Sequence, residues 1–257
     1  MALIFDSHSH YDSSQFDGDR FELLGSMQSR GVGLILSASS NVESTFKNCE
    51  IAKKFPFVFT SGGVHPIDCQ YEKEPYLDTL KKLFSENPKM VAVGEIGLDY
   101  HYDTPIPLQK RFFEEQLQLA KELNKPVILH CREATADMME ILREYKPKGV
   151  VHCFSGSVET AREVLDLGLY IGFTGVLTFK NAEKPRKSAS YVPLDRLLIE
   201  TDAPYMAPVP FRGERCDSSM LHSVAEKLSE LKGVSKEEIL EVTFNNAVKA
   251  FEMEALI

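Results

Sequence analysis

Eight short apolar runs alternate with amphipathic segments along nearly the whole chain, and this order constrains the fold more than any other feature. Between the runs, apolar residues recur at helical spacing, as Phe113, Leu117 and Ala120 do. Repeated alternation of strand and helix predicts a parallel sheet covered by helices. The runs of strand length cover 2–5, 32–38, 57–64, 90–93, 126–129, 149–151, 169–173 and 196–199.

Polar residues at the ends of these runs favour a (β/α)₈ TIM barrel over a doubly wound open sheet. They follow the first, fourth, fifth, sixth and eighth runs and are His8, His10, Glu95, His130, His152 and Asp202. In a barrel all strand ends converge on one face, whereas an open sheet would normally separate its first and eighth strands. The length of 257 residues suits one barrel, so we expect a single domain over 1–257.

The bulk composition is that of a soluble protein with a packed core, at 43% hydrophobic and 26% charged residues. No run is long enough to span a bilayer, and the first strand follows Met1 at once, so we expect no signal peptide and a cytoplasmic location. The five scattered cysteines fit reduced thiols. The net charge of −9 argues mildly against coating of DNA by bulk electrostatics, but permits a nucleic acid held locally by metals and a few basic residues.

Taken together, the six polar residues predict a divalent metal site. Each alone has an ordinary explanation, as a hydrogen-bonded residue at a strand end or in a turn. As one cluster they would be costly unless cations neutralised them. His8, His10 and Asp202 are expected around one ion. His130 and His152 are expected around a second.

Glu95 ends a middle strand and is the expected bridge between two ions. Mixed imidazole and carboxylate ligands suit zinc, manganese, iron or nickel, and magnesium remains an option. A water held by such ions loses a proton easily, and Asp202 is placed both to ligate and to accept that proton. The predicted catalytic residues are therefore Asp202 and Glu95, and the predicted chemistry is metal-assisted hydrolysis without a covalent intermediate.

Several short motifs occur in a fixed order: DSHSH at 6–10, GVHP at 63–66, GEIGLDY at 94–100, HCRE at 130–133, HCFSG at 152–156 and ETDAPY at 200–205. In this order they resemble the motifs of the TatD family of metal-dependent deoxyribonucleases, which are amidohydrolase-like TIM-barrel hydrolases. The resemblance runs nearly end to end, with Asn246, Ala247 and Phe251 fitting it near the C-terminus. It implies a 3′-to-5′ exonuclease acting on DNA, with divalent metals in the roles assigned above.

The resemblance also implies residues that contact the substrate. His65 is a candidate for the substrate phosphate, the alternative being a turn histidine before Pro66. Tyr100 and His101 are candidates for stacking at the mouth of the site, the alternative being packing at a loop edge. The full set predicted to bind substrate is His65, Tyr100, Arg132, Arg212 and Arg215.

One segment departs from the family pattern. After Arg215 the chain reads Cys216-Asp217-Ser218, where many members carry Asn-Glu-Pro, so any specificity carried by that tripeptide is open. Residues 180–187 are expected to form a basic loop. Lys180 belongs with Arg132, Arg212 and Arg215 to a local basic set that would hold nucleic acid, whereas a solvated turn is favoured over a substrate contact for Lys184 to Lys187. Strand alternation predicts that Cys131 and Cys153 point away from the pocket.

Two other functions compete with a nuclease. One is hydrolysis of a small ester, amide or phosphoester. The other is a non-catalytic barrel that binds metal or a partner, against which the complete ligand set argues. The sequence leaves the oligomeric state open, and a monomer is compatible with it.

Overall fold

A computed structural model describes residues 2–257, so that Met1 lies outside the description, and it contains one eight-stranded parallel sheet in the order β1 to β8. Every strand pairs in parallel with its neighbour in sequence. The strands are β1 (Ile4–Ser9), β2 (Val32–Ser37), β3 (Val58–Gly62), β4 (Met90–Asp99), β5 (Val127–Arg132), β6 (Gly149–Val151), β7 (Tyr170–Phe173) and β8 (Leu197–Ile199).

Contacts between the ends of β1 and β8 close the sheet. Ser9 and Ala203 form an isolated parallel bridge. The amide of His10 donates to the carbonyl of Ala203 at 2.7 Å, and the amide of Asp202 donates to the carbonyl of His8 at 2.9 Å. The predicted (β/α)₈ barrel is confirmed, and its closure is what brings residues 8–10 beside residue 202.

Helices cover the outside of the barrel. They are α1 (Arg20–Ser26), α2 (Val42–Lys54), α3 (Tyr76–Glu86), α4 (Ile106–Leu123), α5 (Thr135–Tyr145), α6 (Val158–Asp166), α7 (Glu183–Tyr191), α8 (Leu221–Lys232) and α9 (Lys236–Ala250). Asparagine is favoured at helix N-caps, so the sequence predicts that Asn41 begins a helix; Asn41 does cap α2, and Ser44 completes a capping box. Each helix in the described part of the chain is too short or too polar to traverse a bilayer.

The strands are buried on both faces, since helices lie outside them and side chains fill the barrel inside. All ten residues of β4 are buried, which is typical of a strand in a parallel barrel. A polar group at the end of such a strand has little access to water. It must therefore find partners among the other strand ends.

Two helical segments differ from the expectation. The helical spacing of Phe21, Leu24 and Met27 predicts one helix over 17–30, but α1 ends at Ser26 and a 3-10 turn follows over Gln28–Arg30. The stop that the sequence predicts at Gly31 is correct, and its φ of +84° is a conformation that glycine adopts readily. Residues 180–187 are not a loop throughout, since α7 begins at Glu183. The helix buries only Ser188 and Ala189, so it carries no apolar stripe that a sequence pattern would reveal.

Candidate metal centre

His8 and His10 lie at the end of β1 and form the first histidine pair. Their Nε2 atoms are 3.1 Å apart. The Nδ1 of His10 lies 3.1 Å from the carbonyl of Ala38, which turns its Nε2 towards the barrel axis. The ring of His8 is fully buried, and its Nδ1 has no hydrogen-bond partner among the described residues. Both rings therefore present Nε2 to the same point.

The carboxylate of Glu95 lies between two sets of imidazoles. Its Oε1 is 2.7 Å from Nε2 of His152 and 2.8 Å from Nδ1 of His130, which form the second histidine pair. Its Oε2 is 3.4 Å from Nε2 of His8 and 3.5 Å from Nε2 of His10. One carboxylate oxygen thus faces each pair, which is the geometry that a bridging ligand requires.

Asp202 approaches the first histidine pair from the end of β8. Its Oδ1 lies 3.3 Å from Nε2 of His10 and 3.6 Å from Nε2 of His8. Its backbone φ of +59° is in the left-handed region, and its hydrogen bond to the carbonyl of His8 holds it there. Strain of this kind persists where the surroundings fix the residue, as at functional sites.

This donor set fits divalent metal. Within each histidine pair, the facing nitrogens lie 3.1 Å and 3.2 Å apart, so at least one nitrogen of each pair must carry a proton when no cation separates them. Three groups of ligand atoms within 4.8 Å of one another occur in the described residues. They are His8 with His10 and Glu95, His8 with His152 and Asp202, and His65 with Glu95 and His130. Imidazole nitrogens with carboxylate oxygens are ligands for zinc, manganese, iron or nickel.

Two carboxylates not expected from the sequence hold the second histidine pair. The Oδ2 of Asp99 is 3.0 Å from Nε2 of His130, which turns Nδ1 of that ring towards Glu95. The Oε1 of Glu200 is 3.5 Å from Nδ1 of His152. Partners of this type fix the orientation of a ligating ring and raise its basicity. The even spacing of Glu95 and Asp99 along β4 was the available signal, since it puts both on one side of the strand.

Charge compensation sets the protonation of the centre. Burial alone would raise the pKa of Glu95, but the surrounding histidines, His152 foremost, hold it well below its usual value. Burial alone would lower the pKa of His10, yet the hydrogen bond to Asp202 and the charge of Glu95 raise it to about 9. Without metal, the carboxylate is ionised and protons reside on the histidines. Metal binding must therefore release protons.

The centre lies at the base of a cleft of about 790 Å³, within the range of roughly 300–1,000 Å³ for small-molecule sites. Loops after β1 to β3 line one side with polar groups, here named the polar wall: Asp12, Ser13, Ser40, Asn41, Ser44 and Asp68. His65 lies in the cleft, with Nε2 3.5 Å from Oε1 of Glu95 and its ring against that of His130. His65 therefore lies beside the metal centre as well as before Pro66.

Two of the residues predicted at the mouth lie elsewhere. The hydroxyl of Tyr100 donates to Asp137 on α5, and His101 pairs with the exposed Glu133. The chain turns outwards once β4 ends at Asp99. Tyr102 and Tyr205 line the cleft instead, each 51% exposed.

The three predicted arginines have separate environments. Arg132 lines the cleft, with its guanidinium 5.5 Å from the ring centre of Tyr102. Arg212 lies over the ring of Phe179 at 3.7 Å, in a depression beside the cleft. Arg215 does not line the cleft, because its guanidinium forms a two-point ion pair with Asp19.

The segment Cys216-Asp217-Ser218 lies beneath the first histidine pair and not in the cleft. The hydroxyl of Ser218 donates to Oδ2 of the buried Asp6 at 2.6 Å. The carboxylate of Asp217 pairs with Arg30 at 3.0 Å, and the thiol of Cys216 is fully buried. The segment therefore supports the strand that carries His8.

The prediction that Cys131 and Cys153 point away from the pocket is wrong, since both line the cleft. Strand β6 ends at Val151, so strand alternation does not extend to Cys153, whose φ is +46°. Its sulfur lies 3.5 Å from the sulfur of Met206, and both residues line the cleft, as Cys131 also does. Burial and the charges of Asp202 and Glu200 raise the pKa of the Cys153 thiol, which keeps it protonated.

Comparisons with known proteins agree with this geometry. Residues 5–252 match the family model described as TatD related DNase. A Bacillus subtilis protein named uncharacterized metal-dependent hydrolase YabD is 40% identical over 98% of this chain and 100% of its own. A Cronobacter sakazakii protein named 3′-5′ ssDNA/RNA exonuclease TatD is 34% identical over 96% of this chain and 97% of its own. The crystal structure of YJJV, a TatD homolog from Escherichia coli K12, has a TM-score of 0.92 at 33% identity, covering 98% of each chain.

Proposed function

Because this chain belongs to the family of TatD-related DNases and is a metal-dependent hydrolase acting on ester bonds, we propose that it shortens DNA from its 3′ end. The observation that carries the proposal is the position of Glu95, with one carboxylate oxygen towards each histidine pair. The relative named as a 3′-5′ ssDNA/RNA exonuclease supports the direction of cleavage. In this proposal, residues 1–257 form one catalytic domain.

The proposed cofactors are two divalent ions, drawn from zinc, manganese, magnesium, nickel or iron. Glu95, with one carboxylate oxygen towards each histidine pair, would be the ligand shared by the two ions. The first histidine pair and Asp202 would hold one ion, and the second histidine pair would hold the other. The contacts of Asp99 and Glu200 support this division, since both carboxylates hold only the second pair.

Bound divalent ions would lower the pKa of an attacking water and neutralise charge on the phosphate. Asp202 would accept the proton from a water that attacks the phosphate. Burial alone would raise the pKa of Asp202, but the hydrogen bond from His10 and the nearby histidine charges lower it, so the carboxylate is ionised and ready to accept. Its Oδ2 has no hydrogen-bond partner among residues 2–257, whereas Oδ1 faces the first histidine pair.

Residues around the centre hold the nucleic acid. His65 and Arg132 lie where they donate to phosphate oxygens next to the metals. The half-exposed rings of Tyr102 and Tyr205 offer faces on which bases stack. Arg212 contributes from the adjoining depression, whereas Tyr100 and Arg215 are held by Asp137 and Asp19 and enter the proposal only as supports of the loops around the cleft.

The cleft volume also favours a second candidate, hydrolysis of a small phosphoester or other small ester or amide, because about 790 Å³ suits a ligand of that size. Two probes separate the candidates: single-stranded DNA and RNA labelled at the 5′ end, and bis(4-nitrophenyl) phosphate. We expect the labelled DNA to shorten stepwise from its 3′ end in the presence of manganese or zinc. Hydrolysis of the small diester with every oligonucleotide left intact would support the second candidate instead. Glu95→Gln protein, purified in parallel, controls for contaminating nuclease.

A further inference from the structure

Four cations lie in the cleft or in two hollows that adjoin it, and they are here named the cationic wall: Arg132, Lys180, Lys184 and Arg212. All four are exposed, and none has a carboxylate within 4.0 Å among the described residues. Nearby basic residues are committed to other contacts. Arg186 donates to the carbonyls of 177 and 179, Lys187 pairs with Glu183 at 2.9 Å, and Arg215 pairs with Asp19.

The cationic wall is continuous with the metal centre. A side cavity of about 360 Å³ shares Arg132 and Ser155 with the cleft, and Lys184 lines it. A depression of about 490 Å³ shares Val176 and Pro185 with the cleft, and it contains Lys180 and Arg212. The first turn of α7 lines both hollows, with Lys184 in the side cavity and Pro185 in the depression. A chain leaving the metals across that turn would pass a cation in each hollow.

The polar wall offers the opposite environment. Asp12 and Asp68 line it, and Asn41 donates to Oδ2 of Asp68 at 2.7 Å. Arg132, which belongs to the cationic wall, is the one Lys or Arg that lines the cleft in the described part of the chain. A phosphodiester along the polar wall would meet like charge, whereas a nucleoside would find carboxylate and hydroxyl partners for its own hydroxyl and amino groups.

We propose that the backbone of a single strand leaves the metal centre across the first turn of α7, with its phosphates on the cationic wall. The terminal nucleoside lies against the polar wall. The inference rests on the proposed function and adds to it the path of the bound strand. A single strand is required because Tyr102 and Tyr205 can stack only on bases that are not stacked in a duplex.

Binding of a twelve-nucleotide phosphorothioate strand, which keeps its charge and resists cleavage, tests the path in the metal-loaded enzyme. Lys180→Ala and Lys184→Ala should each weaken binding roughly fivefold and reduce the slope of log affinity against log salt by about 0.7. Lys187→Ala is the matched control, since it removes one charge from the same helix but is paired with Glu183. Hydrolysis of bis(4-nitrophenyl) phosphate should stay unchanged in all three variants.

Two results would overturn the path. One is that Lys180→Ala and Lys184→Ala bind the strand like Lys187→Ala. The other is that a blunt duplex binds as tightly as the single strand. These results can be told apart from failure of the proposed function. If the enzyme cleaves DNA but binding of the strand does not depend on the cationic wall, only the proposed path is wrong. If binding depends on the cationic wall but DNA is not cleaved, only the proposed exonuclease activity is wrong.

Discussion

The metal centre and the cationic wall handle charge in opposite ways. At the centre, buried carboxylates and imidazoles face one another within 4 Å, and further carboxylates hold the rings from behind. On the wall, four exposed cations have no carboxylate within 4.0 Å in the described part of the chain. The difference follows from burial, because an unpaired charge is costly in the interior and cheap at the surface. The centre is therefore fixed before substrate arrives, whereas the wall gains its partners only from the substrate.

The largest effect should come from the residue that contacts both halves of the centre. Glu95→Gln keeps the side-chain volume but removes the charge between the two histidine pairs. We expect the hydrolysis rate to fall at least about 10³-fold, beyond the 10- to 100-fold typical of residues behind the ligands. The effect is measured as the rate of hydrolysis of DNA and of bis(4-nitrophenyl) phosphate, together with the metal content of the variant. A well-folded variant with wild-type metal content and a rate within tenfold of wild type would contradict the central role of Glu95.

The second prediction concerns whether the centre binds ions at two separate sites or at one. His10→Asn removes one nitrogen from the first histidine pair and leaves the second pair and its carboxylate partners intact. We expect the metal content of the purified protein to fall by one ion per chain, with activity recovering at high metal concentration. Elemental analysis after dialysis gives the answer. Equal loss of both ions would mean that the proposed division of ligands is wrong.

A smaller effect is expected behind the ligands. Asp99→Asn should weaken metal binding by about 10- to 100-fold, because the amide holds His130 without increasing its basicity. Asp103→Asn is the control, as Asp103 is exposed and close in sequence. Isothermal titration calorimetry with manganese measures the metal affinity of Asp99→Asn and of Asp103→Asn. If both variants bind metal equally well, the contact of Asp99 with His130 does not influence the centre.

The sequence predicts the ligands better than their supports, and the reason is physical. A ligand at a strand end follows an apolar run, so His8, Glu95 and His130 stand out as polar residues at regular positions. The residue that orients a ligand comes from another strand, and its distance along the chain carries no signal. Asp99 and His130 are 31 residues apart and meet only because β4 and β5 are adjacent.

Other failures have local causes. The helix α7 was expected to be a loop, since its buried side chains are small and give no amphipathic stripe. Cys153 was expected to face outwards, but a positive φ just beyond β6 breaks the alternation. The cationic wall is equally hard to predict. Its residues are exposed, come from different parts of the chain and share a surface only once α7 has formed.

The smallest effect on catalysis should come from Asp6, which lies beneath the centre and does not line the cleft. Burial raises the pKa of Asp6 to about 7, against 3.8 when exposed, although hydrogen bonds from Ser218 and Thr201 partly offset the rise. The folded state thus holds this proton more tightly than the unfolded state. Its contribution to stability is present at low pH and is lost as pH rises towards 7.

Replacing Asp6 by Asn removes this proton equilibrium and nothing else that titrates. Between pH 5 and 7, the free energy of unfolding of the wild type should fall by roughly 2–3 kcal/mol more than that of the variant. Urea unfolding of both proteins in the same chelating buffer measures the difference without a contribution from metal binding. Because only the slopes with pH are compared, a uniform loss of stability in the variant does not matter. Parallel slopes would show that the buried carboxyl is ionised throughout this range, and that Ser218 and Thr201 compensate its charge as fully as the histidines compensate Glu95.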